Sequence, residues 1–231
     1  MSLPLLTRAQ IRLVDSIVES ELGLPGLVLM ENAGLLGALA LLPTLASEQR
    51  RPVILVGAGN NGGDGYALGR QLLVRGVEPL MIALRPCHQL SPDAAVQRRA
   101  CEALQMHIED CPEPEGLVRV LTAVGPKGLL VDAVLGTGFE GVLRGDVAAW
   151  LECAGNIAQG FSWPCWAVDL PSGMDADLGS GAVIQAQHTL TLAAPKVGFE
   201  TEAGRAACGQ VQVLPIGVPE QIVQRAAKSP T

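Results

Sequence analysis

The chain is poor in aromatic residues. They make up 3% of its 231 positions, so the core must be filled by Leu, Val, Ile and Ala, as buried parallel strands and their covering helices usually are. Histidine is scarce as well. His88, His107 and His188 lie away from the glycine-rich loops and read as structural, so histidine acid–base chemistry is not expected. The six cysteines (Cys87, Cys101, Cys111, Cys153, Cys165, Cys208) form no C-x-x-C pair. That removes zinc and dithiol redox readings and leaves reduced, mostly buried thiols of a cytoplasmic protein. A basic excess is also absent: the net charge is −7, opposite to the footprint that nucleic acid requires. Thr7 and Arg8 stand where a signal peptide would carry its apolar stretch. The longest apolar stretch, 35–46, contains Pro43 and is too short to span a bilayer. The chain is therefore expected to be cytoplasmic, with no nucleic-acid and no membrane partner. It holds no repeat, low-complexity tract or charge block. With 48% hydrophobic and 17% charged residues, disorder is excluded too.

What is present reads as one α/β domain over 1–231, with its core at about 7–217 and a loose tail at 226–231. Thr7 and Gln10 have capping-box spacing ahead of a helix carrying Ile11, Val14, Ile17 and Val18 on one face. A second helix follows Pro25 and runs through Met30, Glu31 and Asn32 to about residue 42. Strands are then expected at 53–56, 79–84, 129–135, 166–170, 189–193 and 211–214. Helices are expected at 64–74, 147–157 and from Ser91 to about 106. Ser91-Pro92-Asp93 is a cap, a first-position proline and a first-turn acid. This alternation predicts a Rossmann-like three-layer sandwich, a mostly parallel sheet with helices on both faces. Such folds bind ligands at the carboxyl ends of their strands. The loops that matter therefore begin at Gly57, Gly136, Asp169 and Ala194.

The first of these, Gly57-Ala58-Gly59-Asn60-Asn61-Gly62-Gly63-Asp64-Gly65, has five glycines in nine positions between a strand and a helix. It reads either as a tight turn or as a cradle in which the backbone approaches a ligand. Gly57, Gly59 and Gly62 match G-x-G-x-x-G. An ordinary dehydrogenase fingerprint fits poorly, however. Asp64 stands where a pyrophosphate would sit. The acid that should end the second strand to hold a ribose is misplaced: Glu78 begins that strand and Arg85 follows its end. Asn60 and Asn61 add amide donors and carbonyl acceptors that phosphate cradling does not need.

The second loop follows Asp132, a carboxylate inside an apolar strand, which implies a structural ion pair or a bound cation. Gly136-Thr137-Gly138 then forms a second permissive loop. In the third, Asp169 ends a strand and points into the same crevice, unless it merely caps a turn. Ser172 adds an oxygen. Asp175 and Asp177 read as turn formers. In the fourth, Lys196 is either solvated or a contact to phosphate or substrate.

Taken together, residues 60–65, 132–139 and 169–173 resemble the signature elements of the NAD(P)H-hydrate epimerases. Met30-Glu31-Asn32-Ala33-Gly34 is similar to that family's second-helix motif, and Ala194-Pro195-Lys196 to a later strand-end motif. The resemblance runs from about Thr7 to Gly217. It implies interconversion of the R and S forms of NADH and NADPH hydrated at C6 (NADHX and NADPHX), with a separate ADP- or ATP-dependent dehydratase consuming the S form. It implies substrate contacts at Asn60, Asn61, Gly62, Gly63, Asp64, Gly136, Thr137, Gly138, Phe139, Glu140, Gly141, Val142 and Asp169. It also implies one potassium ion per subunit at Asn61, Asp132 and Ser172. Those three are hard oxygen donors with a single carboxylate, which suits a monovalent cation better than zinc. Asp169 is the expected acid–base group, with Asp64 second. A homodimer through the apolar N-terminal helices is expected. The competing readings are an NAD(P)-dependent dehydrogenase and a non-catalytic binding or scaffold module of the same fold.

Overall fold

A computed structural model describes residues 3–111 and 113–229. Among them are seven strands, β1 (Arg51–Val56), β2 (Leu80–Ala83), β3 (Ile108–Asp110), β4 (Gly128–Ala133), β5 (Cys165–Val168), β6 (His188–Leu192) and β7 (Gln210–Leu214). They form one sheet in the order β3-β2-β1-β4-β5-β6-β7. Every pairing is parallel, for instance Leu55 with Asp132 and Asp132 with Ala167. The expected parallel sandwich is thus present, and no strand departs from it. Strand order turns back between β1 and β4. That is where a doubly wound sheet opens a crevice at its carboxyl edge.

Among the described residues eight α-helices surround the sheet: α1 (Arg8–Leu22), α2 (Gly26–Glu48), α3 (Asn60–Leu73), α4 (Pro92–Ala103), α5 (Pro114–Val124), α6 (Asp146–Gly160), α7 (Glu202–Cys208) and α8 (Glu220–Ala227). One apolar cluster joins α1, α2 and α3 to one sheet face, through Val14, Leu41, Leu68 and Val131. A second joins α5 and α6 to the other face, through Leu117, Leu121, Trp150 and Leu130. The α1 capping box is complete: the Thr7 hydroxyl accepts from Gln10 N–H, and the Gln10 side chain accepts from Thr7 N–H. The Ser91 hydroxyl likewise caps α4.

Three boundaries differ from expectation. α2 continues through Pro43 to Glu48, giving a 23-residue helix apolar and long enough to cross a membrane by length and composition. In this fold it packs instead against α3. A Cβ on Gly34 would lie 2.5 Å from Ala67 Cβ and 2.7 Å from Leu68 N, so the two backbones nearly touch. α3 begins at Asn60, so two thirds of the expected glycine-rich loop is helix. The chain end also departs from a loose tail. Ala226 and Ala227 belong to α8, Ala226 is fully buried, and Gln10 donates to the carbonyls of Ala227 and Ser229. Residues 230–231 of that tail lie outside the described residues.

Candidate active site

The four strand-end loops converge. A Cβ on Gly57 would lie 2.1 Å from the Val134 carbonyl, so the loops after β1 and β4 meet at the point where strand order reverses. Here they border a cavity of about 680 Å³. Its floor is Gly59, Asn60, Asn61 and Asp64 from the start of α3, Val134 and Gly136 to Phe139 after β4, Asp169 after β5, and Leu192 and Ala193 at the end of β6.

Asp169 is held there under strain. Its φ is +67°, and Leu170 N–H donates to the Val168 carbonyl across it, a three-residue turn that L-residues seldom adopt. Ala193 repeats the arrangement at the end of β6, with φ +61° and Ala194 N–H donating to Leu192. The turn aims the Asp169 carboxylate at two donors. Lys196 Nζ donates to Oδ1 at 2.5 Å, and Thr137 N–H donates to Oδ2 at 2.6 Å. Burial alone would raise this carboxyl, but Lys196 and Thr137 overcome it and hold Asp169 below the ordinary carboxylate range.

Lys196 is therefore a partner of Asp169. It has no solvent exposure and does not border the cavity, so the expected substrate or phosphate contact is replaced by this ion pair. Its ammonium also donates to Thr191 Oγ1 (2.6 Å) and to the Leu192 carbonyl (3.2 Å), so all three protons are used.

Asp64 is the counterpart of Asp169. It has no cationic partner among the described residues. Burial raises its carboxyl well above the usual value, and the charges of Asp169 and Asp15 raise it further against the opposing pull of Lys196. One cavity thus holds one carboxyl drawn toward its ionised form and one pushed toward its protonated form. This division marks acid–base sites.

Added Cβ atoms on Gly62, Gly63 and Gly65 would strike the Gly57 carbonyl, Met30 and Ala133, so these glycines let α3 sit close against the protein. Gly136 does shape the site: its Cβ would lie 2.7 Å from Asp169 Oδ2 and 3.1 Å from Asn61 Cγ. Of the expected contacts, Asn60, Asn61, Asp64, Gly136, Thr137, Gly138, Phe139 and Asp169 border the cavity. Gly62, Gly63, Glu140, Gly141, Val142 and Lys196 do not. Glu140 and Val142 are exposed, and Glu140 lies 3.9 Å from Arg8 and from Arg12.

Asp132 has no ion pair among the described residues. Its Oδ1 accepts from the Ser172 hydroxyl (2.5 Å) and Val134 N–H (3.2 Å), and its Oδ2 accepts from Ser172 N–H (2.8 Å). Burial nevertheless leaves its carboxyl raised. Both side-chain polar atoms of Asn61 are buried without a hydrogen-bond partner among the described residues. An orphaned amide and a buried carboxylate with a serine hydroxyl fit a hard monovalent cation, whereas no cluster of three His, Cys, Asp or Glu among the described residues would hold a transition metal.

The N-terminal helices add a wall that was not expected. α1 contributes Ile11, Arg12, Asp15 and Glu19, and α2 contributes Gly26, Leu29 and Met30. Ile11, Asp15 and Glu19 recur every fourth residue, one row on a helix. Two acids and one isoleucine in such a row look like a solvated face, so the sequence signal was present but not distinctive. Asp175 and Asp177 do form a turn, and they also clamp α1. Asp175 Oδ1 accepts from Asp177 and Leu178 N–H, Asp175 Oδ2 pairs with Arg8 (2.8 Å), and Asp177 accepts from Arg8 N–H (2.7 Å). At the end of β2, where a dehydrogenase places its ribose acid, Arg85 stacks over Trp150.

Comparison with known proteins agrees with this geometry. The family model described as YjeF-related protein N-terminus matches residues 26–198. A Rhodopirellula baltica protein named NAD(P)H-hydrate epimerase is 38% identical over 227 residues, covering 97% of this chain and 89% of that protein. A Moorella thermoacetica protein named bifunctional NAD(P)H-hydrate repair enzyme Nnr is 35% identical. That alignment covers 95% of this chain but 41% of the longer protein. The crystal structure of the yeast protein ynu0 superposes with a TM-score of 0.74 at 21% identity, covering 91% of this chain and 87% of that one, and shares the fold.

Proposed function

We propose, from the premise that this chain belongs to the family of YjeF-related protein N-termini, that it is an isomerase epimerising NADH and NADPH hydrated at C6. The observation that carries the reading is the pair of carboxyls in one cavity, Asp169 drawn down by Lys196 and Asp64 pushed up by burial. In the substrate the C6 hydroxyl neighbours ring nitrogen N1, whose lone pair can expel it as water. Expulsion needs a proton donor and leaves a cation, and return of water to the other face inverts the centre. Asp64 is the donor to the departing oxygen. Asp169, ionised and aimed by its strained turn, steadies the cation electrostatically and accepts a proton when water returns to the face it left. The cavity's other acids, Asp15, Glu19 and Asp93, add negative field around the cation.

One potassium ion per subunit belongs to this reading, held by Asn61, Asp132 and Ser172. Its support is the orphaned Asn61 amide and the buried Asp132 carboxylate. When bound it supplies positive charge that offsets Asp132 and fixes the loops after β4 and β5. The physiological setting is the cytoplasm, where the S form passes to an ADP- or ATP-dependent dehydratase. The Moorella thermoacetica relative, named a bifunctional NAD(P)H-hydrate repair enzyme, supports that link. A homodimer through α1 and α2 is supported by the solvent-facing Leu22, Val28 and Leu39.

The test is conversion of purified (R)-NADHX to the S form, followed by chromatography against the spontaneous rate. Acceleration is expected in potassium buffer and a decline when tetramethylammonium replaces potassium. Asp169→Asn is expected to lose about 100-fold or more. Near wild-type turnover by that variant would remove Asp169 from the chemistry.

A further inference from the structure

We propose that Asp15, on the first helix, is the second acid–base group of this site, serving the face of the substrate ring turned away from Asp64 and Asp169. The inference rests on the epimerase reading and addresses what that reading leaves open. Inversion at one carbon requires proton transfer on two faces, and that reading assigns Asp64 and Asp169 to one face and no group to the other.

Asp15, Asp64 and Asp169 reach the same cavity from three separate elements, α1, α3 and the end of β5. Asp15 is not a loose surface acid, because α1 is anchored at both ends. At its start, Leu6 N–H donates to the Pro195 carbonyl and Val197 N–H to the Leu6 carbonyl, next to Lys196, while Arg8 pairs with Asp175. At its end, Glu21 takes two bonds from Arg225 (2.7 and 2.8 Å). The charged groups that face Asp15 are Asp64 from α3, Asp169 with Lys196 from the strand ends, Asp93 from α4, and Arg12 and Glu19 on its own helix. None of them bonds to it: among the described residues the Asp15 side chain has no hydrogen bond and no ion pair, and the nearest carboxylate to Arg12 is Glu140 at 3.9 Å. By surface area it is open to the cavity solvent, yet the surrounding walls desolvate its carboxyl. That desolvation, then the charge of Asp169, pushes it up to about 6 against the pull of Lys196. A group so placed takes up and releases a proton near neutrality.

The step balances. Asp64 gives its proton to the C6 hydroxyl, the C–O bond breaks with its electron pair on oxygen, and water departs while N1 supplies the compensating pair. A second water on the α1 side forms the new C–O bond and loses a proton to the Asp15 carboxylate. Asp64 ends ionised and Asp15 protonated, one water leaves and one enters, and solvent in the cavity returns the proton to Asp64.

The experiment follows the (R)-epimer in H₂¹⁸O with the full chain, measuring inversion and ¹⁸O uptake into unreacted R form by mass spectrometry. Wild-type protein is expected to place one solvent oxygen in each inverted molecule. Asp15→Asn is expected to invert about 100-fold more slowly with unchanged KM, while ¹⁸O still enters the R form from the Asp64 side. Asp15→Glu is expected to recover at least tenfold of the lost rate. Inversion by Asp15→Asn at the wild-type rate would overturn the proposal. So would a parallel fall in inversion and exchange, or wild-type inversion without ¹⁸O. If wild-type protein accelerates neither process, it is the epimerase reading that fails.

Discussion

Lys196 carries a positive charge to a point without solvent exposure, where Asp169, Thr191 and the Leu192 carbonyl receive its three protons. Desolvating both charges of such a pair costs several kcal/mol per ion, and only their mutual attraction and full hydrogen bonding offset it. Removing one partner should therefore cost far more than replacing both. Lys196→Met is expected to destabilise the fold by about 3–5 kcal/mol, because Asp169 is left buried and unpaired. Adding Asp169→Asn should recover part of that loss. Urea unfolding of the two single variants and the double variant checks it, and additive losses would show that the two groups are not coupled. The same pair explains how two carboxyls in one cavity differ. Asp169 has the lysine and Thr137 N–H, Asp64 has neither, and burial pushes its carboxyl up.

At the scale of elements, the contact of α2 with α3 sets how deeply the start of α3 sits in the site. Gly34 makes that contact possible, since its added Cβ would lie 2.6 Å from the Ala67 carbonyl carbon, and backbone cannot swing aside as a side chain can. Gly34→Ala is expected to cost about 2 kcal/mol, lowering the thermal midpoint by about 4–8 °C. An unchanged midpoint would show that the helices separate freely. Elements with strong local signals were legible in the sequence: the Thr7 box, the Ser91 cap, and β1 with its run of apolar residues. Missed elements had weak ones. β3 has three residues at the sheet edge and no buried position, α5 starts among prolines that read as loop, and α7 and α8 are short and polar in their first turns. The same physics divides the site. Strand-end loops announce themselves by glycine and by acids next to apolar runs. The α1 wall does not, because its acids become site residues only through the tertiary placement of the helix. Nor does periodicity reveal whether a strand-end lysine turns outward or folds back beneath a carboxylate.

At the scale of the whole molecule, the displaced carboxyls set how stability varies with pH. Asp15, Asp64 and Asp132 are raised, so they bind protons more tightly folded than unfolded, and the stability they lend at low pH is lost as pH rises through their folded values. Asp169, Glu31 and Asp175 are lowered and act in the opposite sense, contributing above the unfolded range and losing that contribution as pH falls. For Asp15 the window runs from 3.8 to about 6. Asp15→Asn should match wild type near the bottom of that window and become more stable across it. Because solvent reaches this carboxylate, the gain should level off at about 1 kcal/mol, or about 2–4 °C. A midpoint difference that stays flat through the window would contradict the assignment. The cavity wall also draws on Ile11 near one end of the described chain and Ile216 near the other, and β1 inside the sheet must wait for β4, more than seventy residues later, before both its edges are paired. Pairings of such long sequence separation are slow to form. During translation, therefore, Asp64, Asp132 and Asp169 emerge from the ribosome well before the wall that encloses them is complete, and a nascent chain carrying all three still lacks a closed site.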